Sequence, residues 1–143
     1  MVSFIKASVL IFCLFLVACA NQNKAPESLY DDVGGQPVMI KITDNFIQEI
    51  SFNRTIYQYF AKTNIDRFRE KFIEYLCVST GGPCQYTGDT MLKVHQGQKI
   101  TEADFNTTVD LLVAAMKDAG LTYPQQNRVL EVLAKTRREM LYQ

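Results

Sequence analysis

Apolar residues at spacings of three and four recur in stretch after stretch of this chain, and no stretch alternates residue by residue as a strand would. Val38, Ile42, Phe46 and Ile50, with Met39 beside them, mark a helix over Pro37 to Ile50 with the proline near its first turn. Ile65, Phe68, Phe72, Tyr75 and Leu76 mark a second, from about Ile65 to Val78, stopped by Gly81-Gly82-Pro83, because proline cannot continue the hydrogen-bond ladder and its predecessor avoids helix. Phe105, Val109, Leu112, Val113 and Met116 stripe a third that runs on to Gly120. Pro124 starts a last one carrying Val129, Leu130, Leu133 and Met140, where Arg137-Arg138 complement the dipole at its end. The pattern predicts a small all-α domain.

Shorter elements fill the gaps. Ser28-Leu29-Tyr30-Asp31 and Thr101-Glu102-Ala103-Asp104 are both capping patterns, the first opening a turn that stops at Gly34-Gly35. Asn53 and Arg54 interrupt the chain ahead of a compact aromatic segment, Ile56 to Phe60. A short helical stretch opening over Gly88 to Lys93 carries Met91, Leu92 and His95 and closes at Gly97.

Composition excludes several functions. Fifteen Lys and Arg balance fifteen Asp and Glu with no basic run, so there is no nucleic-acid footprint. A single His cannot build a two-imidazole metal site such as H-E-x-x-H, and the chain has no G-x-S-x-G, P-loop or G-x-G-x-x-G. Chemistry on this chain calls for a borrowed cofactor.

The N-terminus reads as an address. After Lys6 an uncharged run extends from Ala7 to Ala20, too short to span a bilayer as a helix but suited to a signal peptide. It ends in Leu16-Val17-Ala18-Cys19, which resembles a bacterial lipobox, with an ordinary signal peptide or short anchor as the alternative. On this reading residues 1–18 are a lipoprotein signal peptide. Residues 19–27 are the lipidated Cys19 and a polar tether, and residues 28–143 are the folded domain. Ala20 after the lipidated Cys suggests a periplasm-facing lipoprotein of the outer membrane. Of the four Cys, Cys13 leaves with the signal and Cys19 takes lipid. Cys77 and Cys84 then remain across a flexible loop, and a disulfide between them is expected, with two buried thiols as the alternative.

An ordered set of motifs resembles the group I truncated haemoglobins, globins with a two-over-two helical sandwich around haem. The set comprises Leu29-Tyr30-Asp31-Asp32-Val33-Gly34-Gly35, Tyr59-Phe60, Gly81-Gly82-Pro83 with Tyr86-Thr87-Gly88, Met91 to Gly97, and Ile100-Thr101 with Phe105. The likeness extends from Ser28 to about Tyr142. It implies haem b, with His95 as the proximal ligand, one ring nitrogen on iron and the other held by a carbonyl or water. It further implies that Phe60 stacks on the porphyrin and that Tyr86, Met91, Leu92, Ile100, Phe105 and Val109 line the pocket. Lys62, Arg69 and Lys93 are read as solvated surface.

The departures from the family pattern fall on the distal side. Members usually place Tyr directly after the B-helix Phe and often Gln on helix E, whereas here Ile47 follows Phe46, and Phe68 and Phe72 take the helix E positions. The distal pocket is therefore expected to be apolar, unless Tyr57 or Tyr30 enters from elsewhere. The resemblance implies a haem protein that reversibly binds a diatomic gas, O2, NO or CO. The alternative is a haem-based electron-transfer or redox and gas sensor protein of the cell envelope, and an NO-dioxygenase or peroxidase-like activity stays open.

Overall fold

A computed structural model describes residues 28–143. The signal segment 1–18 and the Cys19 tether lie outside the described residues. Eight α-helices follow, with no strand among the described residues: α1 (Leu29–Val33), α2 (Gly35–Phe52), α3 (Arg54–Phe60), α4 (Ile65–Ser79), α5 (Met91–His95), α6 (Glu102–Asp118), α7 (Tyr123–Leu133) and α8 (Arg137–Met140).

Local chemistry sets these boundaries. The Ser28 hydroxyl accepts the Asp31 N–H at 3.1 Å, and Asn53, Asn64 and Thr101 cap α3, α4 and α6 in the same way. Between α1 and α2 the chain turns at Gly34 with φ 108°, where a Cβ would also come within 2.7 Å of Val38 Cγ2, so only glycine suits the corner. Two expectations change. Helix α5 begins at Met91 rather than near Gly88, because Thr90 takes the cap position and accepts the Lys93 N–H. The last helix breaks into a 3-10 turn at Ala134–Thr136. There the Thr136 hydroxyl donates to the Leu133 carbonyl at 3.0 Å and accepts from the Tyr75 hydroxyl at 2.8 Å, which turns the backbone before α8.

Helix α2 packs against both α4 and α6, and α6 in turn meets α7, so the pair α2/α4 lies on the pair α6/α7 in a two-over-two sandwich. Met39, Ile42, Phe46 and Ile50 of α2 meet Ile73 and Leu76 of α4 and Leu112, Ala115 and Met116 of α6 in one core. Asn45 Nδ2 donates to the Ala115 carbonyl at 3.1 Å and fixes the register of α2 on α6. Helix α5 packs chiefly on α8. Its position relative to α4 is set by the irregular segment 80–90.

Candidate functional site

His95 closes α5. Its Nδ1 lies 2.7 Å from the Met91 carbonyl oxygen, one helical turn back. A carbonyl only accepts, so Nδ1 carries the hydrogen and Nε2 keeps its lone pair, with no hydrogen-bond partner among the described residues. Burial holds the imidazole below its ordinary pKa, against the opposing pull of the Met91 carbonyl, and so favours the neutral ring that a metal ligand must be. Met91 and His95 stand four residues apart on one face. Leu92, three residues before His95, is 48% exposed, the most open of the expected pocket residues.

Ile100, Phe105 and Val109 follow on the approach to α6 and along it, all half-buried. Arg137 and Arg138 are the basic residues in the last turn of α8, and Arg137 also reaches outside that helix. Its guanidinium lies 5.3 Å from the Phe105 ring centre and 2.9 Å from Glu102, tying α8 to the start of α6. Lys93 pairs with Asp89 at 2.6 Å, and Arg69 grips Asp44 through two nitrogens, so neither is a free cation.

Four phenylalanines on α2, α3 and α4 form a continuous string. Phe46 and Phe72 have ring centres 5.2 Å apart, Phe72 and Phe68 stack at 5.4 Å, and Phe68 meets Phe60 edge-on at 5.1 Å. Phe46 is buried, whereas Phe60, Phe68 and Phe72 are each half-buried, which leaves apolar ring surface for a further apolar body. Ile47 lies beside the string and, with Phe60 and Phe68, walls a cavity of about 110 Å³. The only polar side chains on that cavity are Ser51, whose hydroxyl donates to the Gln48 carbonyl, and Tyr57, which is half-exposed at the rim. Tyr30 is engaged elsewhere, its hydroxyl directed to Gln36 at 3.4 Å.

Two groups of contacts were not foreseen from the sequence. The Tyr59 hydroxyl donates to Asp104 at 2.7 Å, joining the end of α3 beside Phe60 to the start of α6 beside Phe105. The hydrogen bond to Asp104 raises the Tyr59 pKa, with burial and the carboxylate charge adding to it, while the Thr101 and Tyr59 hydroxyls hold Asp104 low. Tyr86 packs edge-on against Tyr75 of α4 at 5.7 Å and donates its hydroxyl to the Asp89 carbonyl at 2.7 Å. Both partners lie far off in sequence or within an irregular loop, so only the capping pattern at Thr101 signalled any of it. Cys77 and Cys84 are joined as a disulfide, with Cα atoms 6.0 Å apart.

The donor set suits a porphyrin iron better than a bare ion. One imidazole nitrogen is free, apolar rings line the far wall, and no group of three or more His, Cys, Asp or Glu side chains could hold a metal among the described residues. Ring contacts and side-chain hydrogen bonds join the phenylalanines to one another and His95 to its own helix. Among the described residues none runs directly from the phenylalanines to His95, and Tyr59–Asp104 ties the two sides at their edge.

Several known proteins are similar to this chain. The group 1 truncated hemoglobin GlbN of Mycolicibacterium paratuberculosis is 31% identical over 109 residues, covering 76% of this chain and 80% of that protein. The group 1 truncated hemoglobin of Tetrahymena pyriformis is 26% identical over 116 residues, covering 81% and 96%. The crystal structure of the Tetrahymena pyriformis truncated hemoglobin in its Fe(III) form superposes with a TM-score of 0.78 at 25% identity, over 82% of this chain and 100% of that one. The family model for bacterial-like globins matches residues 28–142, nearly the whole described domain, and the chain belongs to that family.

Proposed function

We propose that this globin holds haem b between the phenylalanine string and α5, with His95 Nε2 on the iron, and that it reversibly binds a diatomic gas. The observation that carries the reading is the 2.7 Å contact from His95 Nδ1 to the Met91 carbonyl, which fixes the tautomer and aims the other nitrogen's lone pair away from its own helix. When bound, haem would supply an iron able to take up a small gas ligand, with His95 as the residue that would hold it. The chain does the rest. Phe60, Phe68 and Phe72 offer ring faces to the porphyrin and exclude water, while Met91, Ile100, Phe105 and Val109 supply apolar surface on the proximal side.

The distal side chains Phe46, Ile47, Phe68 and Phe72 carry no hydrogen-bond donor. A ligand that depends on such a donor, O2 above all, is held less firmly than in a site that has one, and CO and NO are relatively favoured. The test is an absorption spectrum of the haem-loaded chain, ferrous and then under CO. A Soret band that shifts on CO addition is expected, and a chain that takes up no haem refutes the reading.

The same proposal places the domain in the cell envelope through a lipid on Cys19. It rests on Leu16-Val17-Ala18-Cys19 and the polar residues that follow. Membrane fractionation of the full chain and of Cys19→Ser tests it. Release of the variant from the membrane is expected, and equal partition of the two overturns it.

A further inference from the structure

The segment 80–90 joins the distal helix α4 to the five-residue α5 and is docked on α4 by two clasps. One is covalent, the disulfide from Cys84 back to Cys77 in the last turns of α4. The other is ionic. The Thr87 N–H and hydroxyl both reach the Glu74 carboxylate at 2.9 Å, and Lys71 Nζ binds Glu74 at 2.9 Å and the Thr87 hydroxyl at 2.6 Å. Beneath the covalent clasp the backbone lies close. The Gly82 N–H donates to the Cys77 carbonyl at 2.8 Å, and a Cβ on Gly82 would come within 2.5 Å of Cys77 Sγ and 2.7 Å of the Tyr30 ring. Between the clasps Tyr86 bonds to the Asp89 carbonyl, and beyond them the chain runs into the Thr90 cap of α5 and so to His95. Because α5 packs chiefly on α8, these clasps, with the Tyr75–Tyr86 contact and the Arg67–Asp89 pair at 3.9 Å, tie the proximal histidine to the distal helix.

We propose that the Cys77–Cys84 disulfide is a thiol-exchange site, through which a dithiol reductant sets how firmly α5 and His95 are held. The two sulfurs differ in access, since Cys77 is fully buried and Cys84 only half-buried. The reductant's first thiolate attacks Cys84 Sγ, the bond to Cys77 breaks, and the Cys77 thiolate takes a proton. The second thiolate then attacks the reductant's own sulfur in the mixed disulfide and frees Cys84, which is protonated in turn. The protein gains two electrons and two protons, and the reductant closes to a cyclic disulfide. Afterwards the segment keeps the ionic clasp, the Tyr75–Tyr86 contact, the Gly82–Cys77 backbone bond and the exposed Arg67–Asp89 pair at 3.9 Å but has no covalent tie, and α5 samples more positions.

The experiment compares the full-length oxidised chain with the same chain reduced by dithiothreitol and with Cys84→Ser, which leaves the buried Cys77 in place. Amide hydrogen exchange of the haem-free chain is followed first. Exchange over 80–95 should quicken by about tenfold or more in both altered forms, with α2 and α6 unchanged. Unchanged exchange over 80–95, or an equal rise along the whole chain, overturns the proposal. A second arm rests on the haem reading: loss of haem to excess apomyoglobin should be about tenfold faster from the reduced chain and from Cys84→Ser. Equal rates of haem loss also overturn the proposal. A chain that binds no haem fails the functional reading instead, and the exchange arm still decides the thiol site.

Discussion

Replacing Ile47 with tyrosine introduces a hydroxyl beside Phe46, Phe68 and Phe72, which carry none. Ile47 is half-buried and lines the cavity of about 110 Å³ together with Phe60 and Phe68. The substitution adds roughly one water's share of volume, about 30 Å³, which that cavity accommodates without displacing the phenylalanine string. A hydrogen bond to a polar ligand is worth on the order of 1–1.5 kcal/mol net, and 1.4 kcal/mol corresponds to about a factor of ten in a rate or equilibrium constant. Stopped-flow measurement of O2 dissociation from the ferrous chain should therefore give a rate about five- to tenfold slower for Ile47→Tyr than for the parent. Ile47→Phe, with similar bulk and no hydroxyl, should match the parent, and CO rates should differ little between the two variants. Equal O2 rates for the Tyr and Phe variants would refute the claim that the distal side lacks a donor, as would a parent rate already as slow as that of Ile47→Tyr.

The remaining predictions concern the scaffold. Ile42 is fully buried in the core that joins α2 to α4 and α6, so Ile42→Ala should cost about 2–5 kcal/mol and lower the Tm by roughly 8–20 °C at about 4 °C per kcal/mol. A drop of only a few degrees in a thermal melt would remove Ile42 from the core. Asn64→Ala removes the Oδ1 that accepts the Arg67 N–H at 3.0 Å and should cost about 1 kcal/mol, while Asn64→Asp should keep most of it. Two equally destabilised variants in denaturant titrations would deny the cap. The Tyr59–Asp104 bond gives a pH window. Asp104 is held low in the folded chain, so its share of stability is present above its unfolded pKa of about 4 and fades as pH falls through the folded value. Tyr59 is raised, so its share is present below its unfolded pKa of about 10 and fades as pH rises through the folded value. The Tm difference between the parent and Asp104→Asn should be flat between these limits and shrink on both sides, and a difference constant over the whole range would contradict the pairing.

Most helix positions were legible because they rest on local signals. The stripe from Val38 to Ile50 and the caps at Ser28 and Thr101 involve residues within a turn or two of one another. The His95 contact with Met91 is equally local, being one turn of α5. What escaped depends on partners distant in the chain. The break before α8 follows from the bond between Thr136 and Tyr75, 61 residues apart, and the Tyr59–Asp104 tie spans 45 residues. The ionic clasp of Lys71, Glu74 and Thr87 was invisible because charged residues on a helix read as solvated until a loop folds over them.

The central claim is that His95 Nε2 holds the iron, and the most direct test is the ferrous absorption spectrum of His95→Gly reconstituted with haem, recorded without and with added imidazole. The variant should lose the parent's five-coordinate spectrum, and free imidazole, entering the space the side chain leaves, should restore it. A variant that keeps the parent spectrum without imidazole would contradict the claim.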